Sequence, residues 1–215
     1  MRTMVHMRRR LFIIALALSV FIVVPCRAEE DTYQEEADRL ARLLNWHEGS
    51  VVAEIGAGRG ELTLAAAKCV GTNGRVYTTE LDAKALANLE GLAVKNKNIT
   101  ARQATETETN LPVESCDSIF MRFVYHHLTK PTKTDASLFR SLKPGGLLAV
   151  IDEEPRSGTL VPDGVPKNRD GHGVPKRILI SELTAAGFEI ATVCNDWPLH
   201  DVIQSYCVVF RKPSR

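Results

Sequence analysis

The stretch Glu54-Ile55-Gly56-Ala57-Gly58-Arg59-Gly60 is built to hold a small ligand against bare backbone. Glycines at alternate positions let the chain turn tightly and bring its N–H groups close to a ligand, since no Cβ stands in the way. Glu54 lies two residues ahead, and its carboxylate favours a ligand bearing a positive group over a pyrophosphate. A buried carboxylate also needs a compensating partner. Glu80, about one strand and one helix further on, can accept two hydrogen bonds from vicinal hydroxyls. The run Tyr125-His126-His127-Leu128 offers imidazoles that titrate near neutrality and so suit a general base. His172, between Gly171 and Gly173, offers another in a loop.

Periodicity supplies the elements that must position these groups. Val51–Ile55 reads as a buried strand entering the glycine loop, and Glu61–Val70 as the helix leaving it. A second strand covers Arg75–Glu80 and a second helix Asp82–Lys95, with Asp82 as its N-cap. Strands follow over Asn98–Arg102 and Asp117–Phe123, then a helix over Thr132–Leu142 that Lys143-Pro144-Gly145-Gly146 terminates, then a strand over Leu147–Ile151. Such alternation implies right-handed crossovers and a parallel sheet covered on both faces. The tail differs: a helix over Ile178–Ala186 is followed by strands over Phe188–Cys194 and Val202–Arg211, too closely linked to be parallel. Glu153–Val174 is the one long loop, of the kind that often serves as a lid or contacts substrate. A helix over about residues 31–46, with apolar positions Ala37, Leu40, Ala41, Leu43 and Leu44, precedes the first strand.

Composition narrows the function. The 215 residues are 44% hydrophobic and 25% charged, which suits one globular domain. Five of the 27 basic side chains are arginines within Met1–Arg27, so the rest of the chain carries 22 bases against 26 acids. A body with net charge −4 has no electrostatic footprint for phosphate backbones, which argues against nucleic acid as the partner. Leu11–Val24 is an apolar run behind Arg8-Arg9-Arg10, and Cys26 and Ala28 stand at the −3 and −1 positions of a cut before Glu29. Residues 1–28 therefore read as a secretory signal, or as a membrane anchor if uncleaved. Either places residues 29–215, a single domain, outside the cytoplasm.

The glycine loop departs from a dinucleotide fingerprint, which needs a glycine where Glu61 stands, and the Gly-Lys-Ser/Thr of a P-loop is missing. With Glu80 at the second strand's tip and Leu142-Lys143-Pro144-Gly145-Gly146 before the fifth, the sequence resembles a class I S-adenosylmethionine-dependent methyltransferase from about Trp46 to Lys212. The resemblance implies a doubly wound α/β fold whose seven-stranded sheet runs 3-2-1-4-5-7-6, mostly parallel with an antiparallel last strand. It implies S-adenosyl-L-methionine as cofactor: Gly56, Gly58 and Gly60 beneath it, Glu54 toward its ammonium, Glu80 on its ribose, and Glu106 near its adenine. A small-molecule acceptor is implied, with His126 and His127 as candidate bases and Tyr125 and His172 as acceptor contacts. Met121-Arg122 stands where metal-dependent relatives carry acids, and the cysteines lack zinc spacing, so no metal is expected. A non-catalytic binder of a nucleoside-type ligand is the other reading. An NAD-dependent oxidoreductase is disfavoured by Glu54 and Glu61.

Overall fold

The computed structural model describes residues 27–197 and 205–214. The signal segment at residues 1–28 lies outside them, apart from the two residues that open the first helix. That helix, α1, spans Arg27–Leu43, earlier at both ends than its periodicity suggests. Its stop has a local cause. Asn45 takes a left-handed conformation (φ 56°), and the Trp46 N–H then reaches back to the Ala41 carbonyl at 2.8 Å. Asparagine is one of the few side chains that tolerates this cap.

The strands are β1 (Val51–Ile55), β2 (Arg75–Glu80), β3 (Ile99–Gln103), β4 (Cys116–Arg122), β5 (Leu142–Glu153), β6 (Glu189–Cys194) and β7 (Ser205–Arg211). The remaining helices are α2 (Glu61–Val70), α3 (Ala83–Lys95), α4 (Pro131–Ser141) and α5 (Lys176–Ala185). The strands form one sheet in the order β3-β2-β1-β4-β5-β7-β6, as expected. The first five are parallel, and β7 runs antiparallel to both β5 and β6. Sheet order reverses between β1 and β4, so their carboxyl ends diverge into a crevice where open α/β sheets bind ligands.

Two apolar cores sandwich the sheet. One face packs Ala37, Leu40, Val52, Ala66, Val76 and Trp197 under α1 and α2. The other packs Ile119, Leu138, Val150, Leu179 and Phe210 under α4 and α5. Trp197 also ties the tail to α1, donating its indole N–H to Glu36 at 2.9 Å. Among the described residues, no helix is long and apolar enough to cross a membrane.

A second element, β5, departs from its expected bounds for a physical reason. Lys143-Pro144-Gly145-Gly146 does not separate α4 from β5; it is an irregularity inside β5. Leu142 pairs with Cys116, and pairing resumes at Leu147 with Ser118. The Gly145 N–H donates to Lys212 O and the Lys212 N–H to Gly146 O, both at 2.9 Å, so β7's end covers backbone that the proline and glycines free. Cys194 and Cys207 face each other as cross-strand partners with free thiols.

Candidate functional site

The crevice at the switch point is walled by Ile55, Gly56, Thr79, Glu80, Ala104, Thr105, Glu108, Thr109, Val124, His127 and Leu128. The glycine loop enters it at Gly56, and φ is 67°, 56° and 85° at Gly56, Gly58 and Gly60. A Cβ on Gly56 would stand 2.6 Å from Val124, closing the gap between the β1 and β4 loops. A Cβ on Gly58 would meet nothing within 4 Å and would project into open space. Such a cradle leaves room for a ligand to touch backbone.

Glu80 stands at the tip of β2 with its carboxylate held at two points. Oε2 accepts the Gly58 N–H at 3.0 Å, and Oε1 accepts the Leu81 N–H at 2.8 Å. A carboxylate offers about four lone-pair directions, so one further acceptor site remains on each oxygen. That is the pair of acceptors to which a vicinal diol can donate.

Glu54 lies under the loop and is only 4% exposed. It accepts the hydroxyl proton of Thr63, whose oxygen also lies 3.0 Å from Thr78 Oγ1. Burial raises its pKa to about 8 against the lowering effect of that hydroxyl, and nearby Glu36 adds to the rise. Glu36 in turn pairs with Arg122, at the end of β4, at 3.0 Å. Because the raised pKa favours proton uptake on folding, Glu54 supports stability below about 4.5 and withdraws that support as pH climbs to about 8. Urea midpoints at pH 6 and pH 8 should therefore differ, and Glu54→Gln should flatten that part of the profile.

The chain leaves β4 through Phe123, whose φ of 56° is unusual for an aromatic residue. Its N–H is fixed to Ile151 O at 2.9 Å. The bend starts a 3-10 turn, Tyr125–His127, and sends its three side chains in different directions. His127 lines the crevice. His126 is 2% exposed and sits behind it, with Nδ1 2.7 Å from Asp152 Oδ1 at the end of β5 and its backbone N–H on Oδ2. Tyr125 is fully buried, and its hydroxyl is shared between Asp135 and Glu182 at 3.0 Å each. An acceptor in the crevice therefore does not meet Tyr125. Loss of hydration, then the proximity of His126 and His172, lowers the His127 pKa from the usual imidazole value.

His172 joins this group from the long loop. Its ring centroid lies 4.6 Å from that of His126 and 5.4 Å from that of His127. The loop is pinned rather than free. Gly173 presses against the tip of β5, where a Cβ would fall 2.9 Å from the carbonyls of Glu153 and Glu154. Further along, Arg169 is wholly buried and forks onto Glu182 of α5 at 3.0 and 2.8 Å. Glu106 points elsewhere: its carboxylate is well exposed, 3.3 Å from Lys130, while Thr105 and Glu108 line the crevice beside it.

Sequence reasoning named each histidine but not their convergence, which depends on the fold bringing residue 172 to the tip of β4. It also passed over Glu153, Arg169 and the Tyr125–Asp135–Glu182 group. The acidic run Asp152-Glu153-Glu154 at a strand's carboxyl end was the available signal for the first. A buried arginine inside a polar loop leaves none.

Comparison with known proteins agrees with this architecture. Residues 53–150 match the family described as a methyltransferase domain. The ubiquinone/menaquinone biosynthesis C-methyltransferase UbiE of Marinomonas sp. (strain MWYL1) is 31% identical over 107 residues, 48% of this chain and 43% of that one. Its counterpart in Psychromonas ingrahamii is 31% identical over 108 residues, with the same coverage. The chain thus spans less than half the length of these relatives. Among solved structures, a SAM dependent methyltransferase from Aquifex aeolicus superposes with a TM-score of 0.66 at 22% identity, covering 86% of this chain and 96% of that one. The [4+2]-cyclase SpnF superposes at 0.68 with 16% identity, covering 84% of this chain and 81% of that one. Over residues 53–150 the chain is thus similar to a methyltransferase domain, and its seven-stranded sheet has the fold of these solved structures.

Proposed function

We propose that this protein transfers a methyl group from S-adenosylmethionine to a small-molecule acceptor. The observation that carries the proposal is Glu80, which lines the crevice and keeps an acceptor site on each oxygen beside the glycine loop. The cofactor supplies a methyl group on a sulfonium, a strong electrophile with a neutral leaving group. The chain's own residues align and shield. Glu80 holds the ribose diol, Gly56 and Gly58 give backbone contact, and Ala104, Thr105 and Glu108 border the adenine in place of Glu106. Glu54, already beneath the loop, is set to compensate an ammonium, which favours its ionised form. His126, His127 and His172 take the acceptor's side and manage its proton, His127 being the one on the crevice wall.

The kinship with quinone-pathway C-methyltransferases supports a small acceptor, as does the acidic body of the chain. A methyl-group reaction is not inevitable on this fold, since a [4+2]-cyclase shares it. The binder reading is separated from the enzyme by one experiment. The purified protein is heated with and without S-adenosylmethionine, then incubated with it and a panel of phenols, quinols and amines. Stabilisation together with a methylated product supports the proposal; stabilisation without product across the panel favours the binder. His127→Ala should lower turnover about 100-fold, the scale of general acid–base assistance, with cofactor affinity changed less than threefold.

We also propose that Met1–Ala28 directs export. Mass spectrometry of the exported protein should find Glu29 at the N-terminus, whereas an intact Met1 would mean a retained anchor.

A further inference from the structure

The three histidines converge from a turn and a distant loop, and one ligating atom from each lies within 4.8 Å of the others. Their surroundings are as informative as their spacing. His126 Nδ1 is held by Asp152, which leaves Nε2 as its free nitrogen. Nε2 is buried and has no hydrogen-bond partner among the described residues. A buried imidazole nitrogen without a partner is costly, unless something not yet named completes it. His172 also has a carboxylate beside its ring. Its Nδ1 lies 3.3 Å from Glu153 Oε1, and Glu153 is itself 2% exposed with Oε2 unpaired among the described residues. Arg156 Nη2 lies 3.0 Å from both Glu153 Oε1 and His172 Nδ1.

We infer that His126, His127 and His172 form a binding site for a late first-row divalent cation, best matched by Zn²⁺, with Asp152 and Glu153 orienting two of the rings from behind. Three neutral imidazoles are a borderline donor set that suits zinc and its neighbours rather than magnesium or calcium. Histidine ligands commonly donate their second ring N–H to a carboxylate, which fixes the tautomer and raises ligand basicity. Both Asp152 and Glu153 stand in that position. At zinc–nitrogen distances of roughly 2.0–2.1 Å, tetrahedral nitrogens lie about 3.3 Å apart, so the cluster must contract. His127 is the exposed member on a short turn and is the one free to move. Three protein ligands leave a fourth position open, the pattern of catalytic rather than structural zinc. Since His127 lines the crevice, an ion held there would border the space of an acceptor oxygen and would lower that group's pKa, taking over from the free imidazoles the task of managing its proton.

The expectation of a metal-free site rested on Met121-Arg122 at the tip of β4, where carboxylate ligands would stand, and on cysteines without zinc spacing. Those arguments concern carboxylate- and cysteine-ligated cations; the nitrogen donors here come from the turn beyond β4 and from the loop after β5.

The inference holds whether or not the protein transfers methyl groups, and its test needs no turnover. The purified full chain is freed of metal with a chelator and titrated with Zn²⁺ by calorimetry. Co²⁺, followed by visible absorption, reports the ligand field. One saturable ion per chain is expected, with the intense d–d bands of a low-coordinate nitrogen-ligated cobalt. His172→Ala, a change at a half-buried loop position, should abolish this signal while leaving the cooperative unfolding transition in place. Asp152→Asn should weaken binding about 10–100-fold. Absence of saturable uptake by the unmodified protein would overturn the inference, and so would undiminished affinity in His172→Ala.

Discussion

Replacing Glu80 with alanine is expected to weaken S-adenosylmethionine binding about 100-fold without unfolding the protein. Each hydrogen bond to a charged acceptor contributes roughly 1.5–3 kcal/mol, and losing a ribose pair at the low end costs about 3 kcal/mol. The same carboxylate also organises the glycine loop through the Gly58 and Leu81 N–H groups, so part of the loss comes from a looser loop. Glu80→Gln separates the two contributions. Its amide keeps one acceptor oxygen but presents a donor to whichever backbone N–H it faces. Affinity between those of the parent and alanine variants would assign the larger share to the sugar contact. Calorimetry with the demethylated product S-adenosylhomocysteine should give the same ranking, because the sugar is unchanged.

The second large effect is on stability. Arg169→Met should lower the unfolding free energy by about 3 kcal/mol, because it removes the cation from a buried group and leaves the acids in place. Arg169 is fully buried, forks onto Glu182, and lies 5.6 Å from the Tyr125 ring centre. Glu182 and Asp135 share the Tyr125 hydroxyl, so two carboxylates meet there once the guanidinium is gone. For a chain of this size the expected fall in Tm is about 6–12 °C. Burial already raises the Asp135 pKa to about 7, with Arg169 among the influences holding it down. An acid with a raised folded pKa lends stability that is present below its unfolded value near 3.8 and lost as pH climbs toward 7. Without Arg169 that loss should steepen. Adding Glu182→Gln to Arg169→Met should recover part of the deficit, since the orphaned charge is then gone.

Much of this architecture was legible because its signals are local. Strand, glycine turn and helix follow one another from Val51 to Val70 with little ambiguity, and Asp82 caps α3 through the Ala85 N–H as its side chain predicts. One misread element was decided by distant partners and another by a single backbone angle. Lys143-Pro144-Gly145-Gly146 has the composition of a terminator, yet β7 supplies hydrogen bonds that keep it within β5. Leu44 and Trp46 extend the apolar spacing of α1, but a single left-handed residue ends the helix before them.

The site divides in the same way. Glu80 was placed by its position at a strand tip, which sequence reveals. Tyr125, His126 and His127 share one tight turn, which buries the first two and sets the third on the crevice wall. Their sequence context is nearly identical; their surroundings are not, since Asp135 and Glu182 claim Tyr125 and Asp152 claims His126. Glu106 and Glu108 differ likewise by which basic residue is within reach. Lys130 draws Glu106 outward, and Arg140 holds Glu108 at 2.5 Å beside the crevice. The long loop has the composition of a mobile lid. Arg169 makes it part of the core instead, and that anchoring carries His172 to its companions.

The central claim is that the crevice between β1 and β4 holds an adenosyl sulfonium through Glu80. Calorimetric titration of the purified protein with S-adenosylmethionine, and separately with NAD, tests it most directly. Saturation at one S-adenosylmethionine per chain, greatly weakened in Glu80→Ala and without matching uptake of NAD, is the result predicted. Uptake of NAD in preference, or S-adenosylmethionine binding indifferent to Glu80→Ala, would contradict it.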